Sequence, residues 1–438
     1  MTKVATNRAN TNKRQPIIAG LDIGSTKVSL VIGTVTQKEN ASGHLEHGID
    51  IVGLGTAPNN GIRQGVVVNV EATIEAITKA REEAELMSGY QITDVYVGVG
   101  GTHVKSFDSR GMIAIRNKEV KNDEISRVIE AAKAVAVPAD REVLHVLPRE
   151  FKIDEQSGIF DPIGMSGVRL EANVHIITAG QTALQNIIKC TEKAGLRVRG
   201  LVLQQLASAL AVLSDDEKKL GAAVVDVGGG TSDILIYSAG SVAYTSTVPV
   251  GGQHFTQDIA MGLRTPQTSA EAVKKKFGCA IADLIDENET IEVEGVGGRK
   301  PRALLRKDLC EVIEPRAEET MGLIWQEIRK SGLEAQIGSG LVLTGGACQL
   351  EGLLEMGEFI ADIPVRKGTP ERMGGLTDIV KIPECATAVG LLVYGLENMS
   401  AQERKHMATS SMTDAAPIAD VMTGFAKKVK DFFNGALG

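Results

Sequence analysis

The chain contains no cysteine pattern that predicts a disulfide framework or a zinc site. Its cysteines are odd in number, lie far apart and never form a Cys-x-x-Cys pair, so we expect reduced thiols. They are Cys190, Cys279, Cys310, Cys348 and Cys385. His103, His145, His175 and His254 are also dispersed and lack the spacing of metal ligands, so these residues predict no metal site.

An excess of positive charge and a membrane-spanning segment are also missing. The formal net charge is −8 and no long basic stripe is present, which argues against nucleic acid as a partner. No uninterrupted apolar run approaches the roughly 18 to 20 residues that a spanning helix requires. Residues 1–15 are polar and precede no apolar segment of signal-peptide length, so we expect a cytoplasmic protein whose membrane contact is at most peripheral.

Two copies of one short pattern dominate what is present. Residues 18–27 and 222–233 each contain an apolar strand that ends in an aspartate, then small residues, then serine or threonine, before a second apolar strand. The aspartates are Asp22 and Asp226. A tight turn of small residues directs backbone N–H groups toward an anion, so each copy predicts a phosphate-binding hairpin. Each aspartate is expected to hold a hydrated Mg²⁺ rather than to contact phosphate directly.

Duplication is what gives this pattern its meaning. A single Asp-x-Gly-x-Ser/Thr segment also fits an ordinary β-turn, where glycine and aspartate are common. Two copies lie 204 residues apart in a chain of 438 residues that is 43% hydrophobic, long enough for two core-bearing domains. The sequence therefore predicts two similar halves that face each other across a nucleotide cleft.

Periodicity and composition divide the chain into seven parts. They are a disordered N-terminus (1–16), a first domain core (17–90 and 168–203), a subdomain inserted in it (91–167), a second domain core (204–250 and 316–395), an outer lobe of the second domain (251–315), a flexible linker (396–416) and a terminal amphipathic helix (417–438). An apolar helix over 201–213 is expected to connect the two halves.

Several segments resemble the FtsA family of bacterial cell division proteins, within the actin-like ATPase superfamily. They are residues 60–67, 95–100, 296–299, 311–316 and the Leu-Thr-Gly-Gly-Ala sequence at 343–347, which follows the two hairpins in the superfamily's order. The resemblance implies an α/β actin-like ATPase fold with two similar domains around a nucleotide cleft. It also implies an inserted subdomain in the first domain and a C-terminal amphipathic helix.

The resemblance further implies that ATP and Mg²⁺ bind in the cleft. The nucleotide contacts fall on Gly24, Ser25, Thr26, Lys27, Gly228, Gly229, Gly230, Thr231, Glu271, Lys274, Gly345 and Gly346, with Asp22 and Asp226 holding Mg²⁺ through water. Judged by spacing alone, Glu271 and Lys274 fit a solvated pair on an exposed helix equally well.

Catalytic residues are less clearly marked than the nucleotide contacts. The candidates are Asp22 and Asp226 together with Gln204 or Gln205. Relatives commonly carry proline after the glutamine of the interdomain helix, whereas this chain has Gln204-Gln205. A side-chain amide can orient water but is a poor proton acceptor, so we expect slow or conditional ATP hydrolysis.

The C-terminus carries a second functional pattern. In residues 418–433 the apolar side chains share one helical face and lysines flank it, which suits a helix that lies in a lipid interface. The apolar residues are Ile418, Val421, Met422, Phe425, Val429, Phe432 and Phe433, and the lysines are Lys427, Lys428 and Lys430. Packing of this helix on the protein's own domain remains the alternative.

Partners follow from the family resemblance and from charge. A basic cluster that includes Arg299, Arg302 and Arg306 suits the acidic, partly apolar C-terminal tail of FtsZ, although such a charge run is usually a solvated surface. The resemblance implies self-association into filaments, recruitment of later division proteins through the inserted subdomain, and a location at the inner face of the cytoplasmic membrane. The alternative function is that of a soluble small-molecule kinase or phosphatase of the same superfamily.

Overall fold

The computed structural model describes residues 16–39, 45–371 and 373–399. The predicted N-terminal segment, apart from Pro16, lies outside these ranges, as does the predicted membrane helix with its apolar face and lysines. The predicted linker is described only at its start, where the last helix continues to Glu397 rather than ending before residue 396. Residues Ile18–Asn398 form one compact unit that contains the elements discussed below.

The strands and helices follow the alternation expected of an α/β protein. The strands are β1 (Ile17–Ile23), β2 (Lys27–Glu39), β3 (Leu45–Pro58), β4 (Ile62–Arg63), β5 (Val66–Val67), β6 (Asp94–Val99), β7 (Lys105–Ala114), β8 (Arg141–Ile153), β9 (Gln156–Ile159), β10 (Arg169–Gly180), β11 (Arg197–Leu203), β12 (Ala222–Val227), β13 (Ser232–Ser238), β14 (Ser241–Val248), β15 (Thr290–Val293), β16 (Arg302–Leu305), β17 (Leu341–Thr344), β18 (Val365–Lys367) and β19 (Gly374–Gly375). The helices are α1 (Val70–Ser88), α2 (Asn122–Lys133), α3 (Gln181–Lys193), α4 (Gln204–Val212), α5 (Asp215–Leu220), α6 (Gly252–Gly262), α7 (Gln267–Phe277), α8 (Arg306–Lys330), α9 (Leu353–Ala361) and α10 (Ala386–Glu397).

Two sheets of the same plan form the two halves. The first has the strand order β11-β6-β1-β2-β3-β19 and the second has the order β18-β17-β12-β13-β14. Each central strand, β1 or β12, lies between a parallel neighbour and the second strand of its own hairpin. The five strands of the second sheet therefore correspond in order to five strands of the first.

The inserted subdomain is a separate sheet with its own core. Its strand order is β7-β10-β8-β9, and α2 covers one face through Val128 and Ala132, which pack with Phe151 and Leu170. Both predicted boundaries move. Strand β6 pairs with β1 in the first-half sheet, and β10 pairs with β7 and β8, so the insert runs from about residue 100 to 180 rather than over 91–167.

The outer part of the second half is not an independent lobe. Phe255, Ile259, Leu309 and Ile313 share one core with strands β12, β13 and β17. Helix α8 runs through the predicted boundary at residue 315 without interruption. Burial of one shared apolar core therefore unites the segments that sequence composition had separated.

The connection between the halves begins as a strand. Residues 201–203 belong to β11, so the helix α4 starts at Gln204 rather than at 201. Helix α4 packs closely on α10, because a Cβ atom on Gly390 would lie 1.8 Å from the carbonyl oxygen of Ala207. This close contact brings Ser208 within 2.9 Å of Thr387, hydroxyl to hydroxyl.

Candidate functional site

The two predicted hairpins form the same turn. In the first, the N–H of Gly24 donates to the carbonyl oxygen of Lys27 at 2.9 Å. In the second, the N–H of Gly228 donates to the carbonyl oxygen of Thr231, also at 2.9 Å. The shared hydrogen bond supports the inference from sequence that the two segments are versions of one structural unit.

The two turns face each other across a cleft. A Cβ atom on Gly229 would lie 2.5 Å from the side chain of Thr26, and one on Gly230 would lie 3.0 Å from the hydroxyl of Ser25. Any side chain at residue 229 would therefore press on the opposite turn. The facing backbones leave space only for small residues at the point where the halves meet.

Three carboxyl groups lie behind these turns, those of the half-buried Asp22 and Asp226 and of the buried Asp233. Asp22 accepts a hydrogen bond from Nε2 of Gln204 at 2.7 Å. Asp226 accepts from the hydroxyls of Ser208 at 2.7 Å and Thr387 at 3.0 Å. Helices α4 and α10 thus position the aspartate of the second hairpin, and α4 also contacts the aspartate of the first.

Burial and mutual repulsion disfavour the ionised form of these carboxyl groups. Burial, with the neighbouring charge of Asp226, raises the pKa of Asp22 to about 7. Burial also raises the pKa of Asp226 above its ordinary value, and it raises the pKa of Asp233 to about 6. The ammonium of Lys27 acts in the opposite direction on Asp22 and Asp226. The cluster therefore carries more potential negative charge than nearby cations compensate.

An ion pair crosses the cleft beside the first turn. Nζ of Lys27 lies 2.9 Å from Oε2 of Glu384, which precedes helix α10. The other oxygen of Glu384 accepts from Nε2 of Gln349 at 2.9 Å. Burial acts to raise the pKa of Glu384, but the charge of Lys27 and these hydrogen bonds bring the net shift below the ordinary value. The lysine that should meet phosphate is thus paired with a protein carboxylate.

Glu271 and Lys274 do not form the solvated pair that spacing alone allowed. Nζ of Lys274 lies 2.6 Å from Oε2 of Glu271 and donates to the carbonyl oxygen of Gly252 at 2.9 Å, and its side chain is only 13% exposed. Burial lowers the pKa of Lys274. Near them Gly345 has φ of +83°, and a Cβ atom there would lie 2.3 Å from Asp226, so the turn after β17 requires glycine.

One cavity of about 720 Å³ brings nearly all of the predicted residues together. Its lining includes Asp22, Gly24, Ser25, Thr26, Lys27, Gln204, Asp226, Gly228, Gly229, Gly230, Thr231, Glu271, Lys274, Gly345 and Gly346. Gln205 is not among them. It is 1% exposed, and its amide has no hydrogen-bond partner among the described residues. Of the two adjacent glutamines, Gln204 is the one that reaches the cavity.

Sequence reasoning missed several residues that line this cavity. Asp233 could have been found, because strand alternation places it on the same side as Thr231, two residues earlier in the hairpin. Thr387 and Glu384 had no comparable signal. They come from a distant segment that tertiary folding alone brings to the hairpins.

The carboxyl groups of the cavity fit a hydrated cation whose remaining ligands are water and phosphate oxygens. In the described part of the chain, no three His, Cys, Asp or Glu side chains lie close enough to hold a metal by themselves. Carboxyl groups in excess of cations nevertheless favour a divalent ion with water and phosphate oxygens as its remaining ligands. Tight turns of small residues, such as these two, are suited to the phosphates.

The predicted basic cluster is not a free surface throughout. Arg306 donates to the carbonyl oxygen of Phe277 at 2.8 Å and pairs with Glu289 at 3.0 Å and Glu351 at 2.5 Å, so it is held within the second half. The guanidinium of Arg302 donates to the carbonyl oxygen of Leu263. Arg299 is exposed. Arg302 is exposed too, so an interaction surface here would depend on Arg299 and Arg302 rather than on all three arginines.

Two matched sheets, each with its hairpin facing one cavity, define an actin-like ATPase fold. Comparison with solved structures agrees. The chain is 17% identical to a chain of a PilM-PilN type IV pilus biogenesis complex, with a TM-score of 0.59 over 88% of this chain and 99% of that one. It is 14% identical to MreB5 of Spiroplasma citri bound to ADP, with a TM-score of 0.51 over 90% of this chain and 98% of that one.

Sequence comparison is more specific. Residues 223–390 match the family model described as cell division protein FtsA, and residues 101–178 match the SHS2 domain inserted in FtsA. A cell division protein FtsA of Pseudomonas aeruginosa is 46% identical over 417 residues, which cover 95% of this chain and 98% of the relative. The chain belongs to the FtsA family of cell division proteins. Membership favours a role in cell division over the soluble kinase or phosphatase.

The match to the inserted domain agrees with the observed sheet. Residues 101–178 span β7 to β10, which together form the four-stranded sheet.

None of the helices in the described ranges is sufficiently long and apolar to cross a membrane.

Proposed function

We propose that the protein is an ATP-binding, filament-forming division protein that tethers FtsZ filaments to the inner face of the cytoplasmic membrane. The observation that carries the proposal is the pair of identical turns facing each other across one cavity, with carboxyl groups behind them. Family membership connects this site with cell division. The protein would be a peripheral membrane protein at the division site.

Each part of the cavity has a role in this proposal. Residues 24–27 and 228–231 would surround the phosphates with backbone N–H groups, hydroxyls and the ammonium of Lys27. Asp22 and Asp226 would hold Mg²⁺ through water, and the cation would offset charge on both the carboxylates and the phosphates. Glu271, Lys274 and the turn at Gly345 would bracket the nucleoside.

Turnover is proposed to be slow or conditional on assembly. Gln204 is the better candidate for orienting a water molecule, because its side chain lines the cavity and already donates to Asp22 at 2.7 Å. An amide accepts a proton poorly, so it supplies orientation but little general-base catalysis. ATP would serve chiefly as a ligand that favours the polymerising conformation.

Nucleotide binding is tested by calorimetric titration of MgATP into the full chain. Lys27→Ala should weaken binding about tenfold, equivalent to about 1.4 kcal/mol, because it removes the cation beside the first turn. Lys79→Ala is the matched control, since Lys79 is an exposed lysine on α1 that pairs only locally with Glu75. Equal affinities for the native chain and Lys27→Ala would contradict this assignment of the phosphates.

Membrane attachment is proposed to depend on the predicted terminal helix, whose residues lie outside the described ranges. An amphipathic helix of this length binds lipid weakly, so many helices on one filament would act together by avidity. Self-association would therefore be needed for stable attachment. The inserted subdomain is proposed to receive later division proteins.

The FtsZ tail is proposed to bind beside Arg299 and Arg302, with Arg306 in a supporting role. Arg299→Glu should weaken binding of an FtsZ-tail peptide several-fold, because the exposed guanidinium would meet an acidic segment. Lys330→Glu is a matched charge reversal at an exposed residue at the end of α8. Fluorescence anisotropy with a labelled peptide measures both, and unchanged affinity in Arg299→Glu would remove this site.

A further inference from the structure

A buried histidine connects the inserted subdomain to the second half. His175 of β10 lies opposite Asp108 of β7, and its Nδ1 is 2.7 Å from Oδ1 of Asp108. Its Nε2 is 3.1 Å from the hydroxyl oxygen of Thr245 on β14. Arg149 of β8 holds the other oxygen of Asp108 at 2.6 Å. The ring, whose side chain is only 3% exposed, is thus fixed from both sides of the boundary.

The direction of these hydrogen bonds follows from their partners. An ionised carboxylate only accepts, so Nδ1 of His175 carries the proton that points to Asp108. In the neutral ring Nε2 then accepts from the hydroxyl of Thr245. A second contact accompanies it, because the hydroxyl of Ser106 donates to the carbonyl oxygen of Thr245 at 3.0 Å. The insert therefore holds both the side chain and the backbone of one residue of β14.

Strand β14 leads from this contact directly to the nucleotide cavity. Thr247 lies on the same face as Thr245, two residues and about 7 Å further along the strand. Its hydroxyl donates to Oδ1 of Asp233, its cross-strand partner on β13, at 2.6 Å. Asp233 lines the cavity. One row of polar side chains thus extends from the insert to the proposed phosphate site.

Asp233 also lies beside the beginning of the insert. The backbone N–H of Gly101, the first residue matched by the inserted-domain family model, faces this carboxylate closely enough to act to lower its pKa. Oδ2 of Asp233 accepts from the hydroxyl of Thr231 at 3.0 Å. A cavity-lining carboxyl group, 5% exposed, is therefore hydrogen-bonded to the second hairpin and adjacent to the start of the insert.

We propose that Asp233, Thr247, Thr245 and His175 couple nucleotide occupancy of the cavity to the position of the inserted subdomain. The inference rests on the proposed nucleotide binding. A cation beside Asp233 would compete with the hydroxyls of Thr231 and Thr247 for the oxygens of this carboxylate, and the phosphates would repel it. Any movement of Asp233 that accommodates the ligand is then transmitted to the insert, both at Gly101 and through strand β14 at Thr245. By linkage, a partner that holds the insert changes nucleotide affinity by the same factor.

Hydrogen exchange of the full chain with and without MgATP tests this coupling. Thr245→Val removes the hydroxyl at nearly constant volume, and Thr245→Ser restores it. In the native chain MgATP should change exchange in segments 101–110 and 173–180. In Thr245→Val that change should fall to less than half, while calorimetry shows MgATP affinity within about threefold of native (about 0.7 kcal/mol). Thr245→Ser should recover most of the response.

The outcomes separate the coupling from nucleotide binding itself. Native protein that binds MgATP without a response in the insert, or a full response in Thr245→Val, overturns the coupling alone. Native protein that binds no MgATP overturns the proposed function and the coupling with it. If Thr245→Val does not fold, Thr247→Val against Thr247→Ser makes the same comparison at the next residue of the row. The same loss and recovery of the insert's response are expected, without the requirement of native affinity, because Thr247 donates to the cavity-lining Asp233.

Discussion

At the scale of single residues, the site contains carboxyl groups whose ionised form is disfavoured by burial and by mutual repulsion. Asp22 is half-buried beside Asp226, and its pKa rises to about 7. Between about pH 4 and pH 7 the folded protein therefore keeps a proton that the unfolded chain releases. The stability contributed by the protonated carboxyl group is present at low pH and is lost as pH rises through this window.

Asp22→Asn should therefore stabilise the protein in the absence of nucleotide at high pH. Asparagine does not ionise, and its carbonyl oxygen can still accept from Gln204. We expect the gain in unfolding free energy over the native chain to grow between pH 5 and pH 8, reaching on the order of 2 kcal/mol. Urea unfolding at the two pH values measures it. MgATP should stabilise the variant less than the native chain.

A difference in stability that stays constant from pH 5 to pH 8 would contradict this account of Asp22. Glu75→Gln is a suitable control, since Glu75 is an exposed acid on α1 that forms one local pair with Lys79. Its small effect on stability should be nearly independent of pH across the same window.

Among the residues that line the cavity, those that belong to local sequence patterns could be predicted from sequence alone. Both hairpins could be predicted, since their chemistry lies within about ten consecutive residues of each strand pair. Glu384 and Thr387 could not, because only the packing of α10 brings them to the cavity. Gln204 and Gln205 were indistinguishable until the start of α4 was known, because one residue of rotation about a helix turns a side chain by about 100°.

At the scale of elements, the contact between α4 and α10 supports both aspartates of the hairpins. Gln204 and Ser208 lie on α4, and Thr387 lies on α10. The helices can approach this closely only because residue 390 is glycine, facing the backbone of Ala207. The spacing of these helices therefore bears most directly on Asp226, which accepts hydrogen bonds from both of them.

Gly390→Ala should destabilise the protein by about 3 kcal/mol and weaken MgATP binding, because the added methyl group forces the helices apart. Gly322→Ala is the matched control. It lies within α8 with open space around a Cβ atom, so alanine should raise stability by up to about 1 kcal/mol. Thermal unfolding and calorimetry compare the two. Comparable stability of both variants would show that the contact between α4 and α10 tolerates separation.

Element boundaries were harder to predict than element types. An apolar run over 201–213 suits a buried strand as well as a helix, and the chain uses it as both. The sequence places β6 in the insert, because the pattern changes near residue 91 to short strands around a single helix. Its pairing with β1 is a long-range contact that local periodicity does not record.

At the scale of the whole molecule, repetition was the decisive signal. Two copies of one hairpin predicted two similar halves, and the matching order of five strands in each sheet confirms them. The division of the second half into a core and an outer lobe was less accurate, because α8 and its apolar residues belong to one continuous core. Sequence composition distinguishes residues 251–315 from their neighbours, whereas their buried apolar side chains belong to the same core.

The central claim of the proposal belongs to this scale: a nucleotide-binding protein attaches to the membrane through the helix predicted at its C-terminus. Sedimentation with liposomes in the presence of MgATP tests it most directly, by comparing the intact chain with one that ends at Thr413. We expect the intact chain to sediment with lipid, more so with MgATP, and the shortened chain to remain in the supernatant. Equal sedimentation of both chains, with or without lipid, would contradict the claim and favour the alternative that the terminal helix packs on the protein itself.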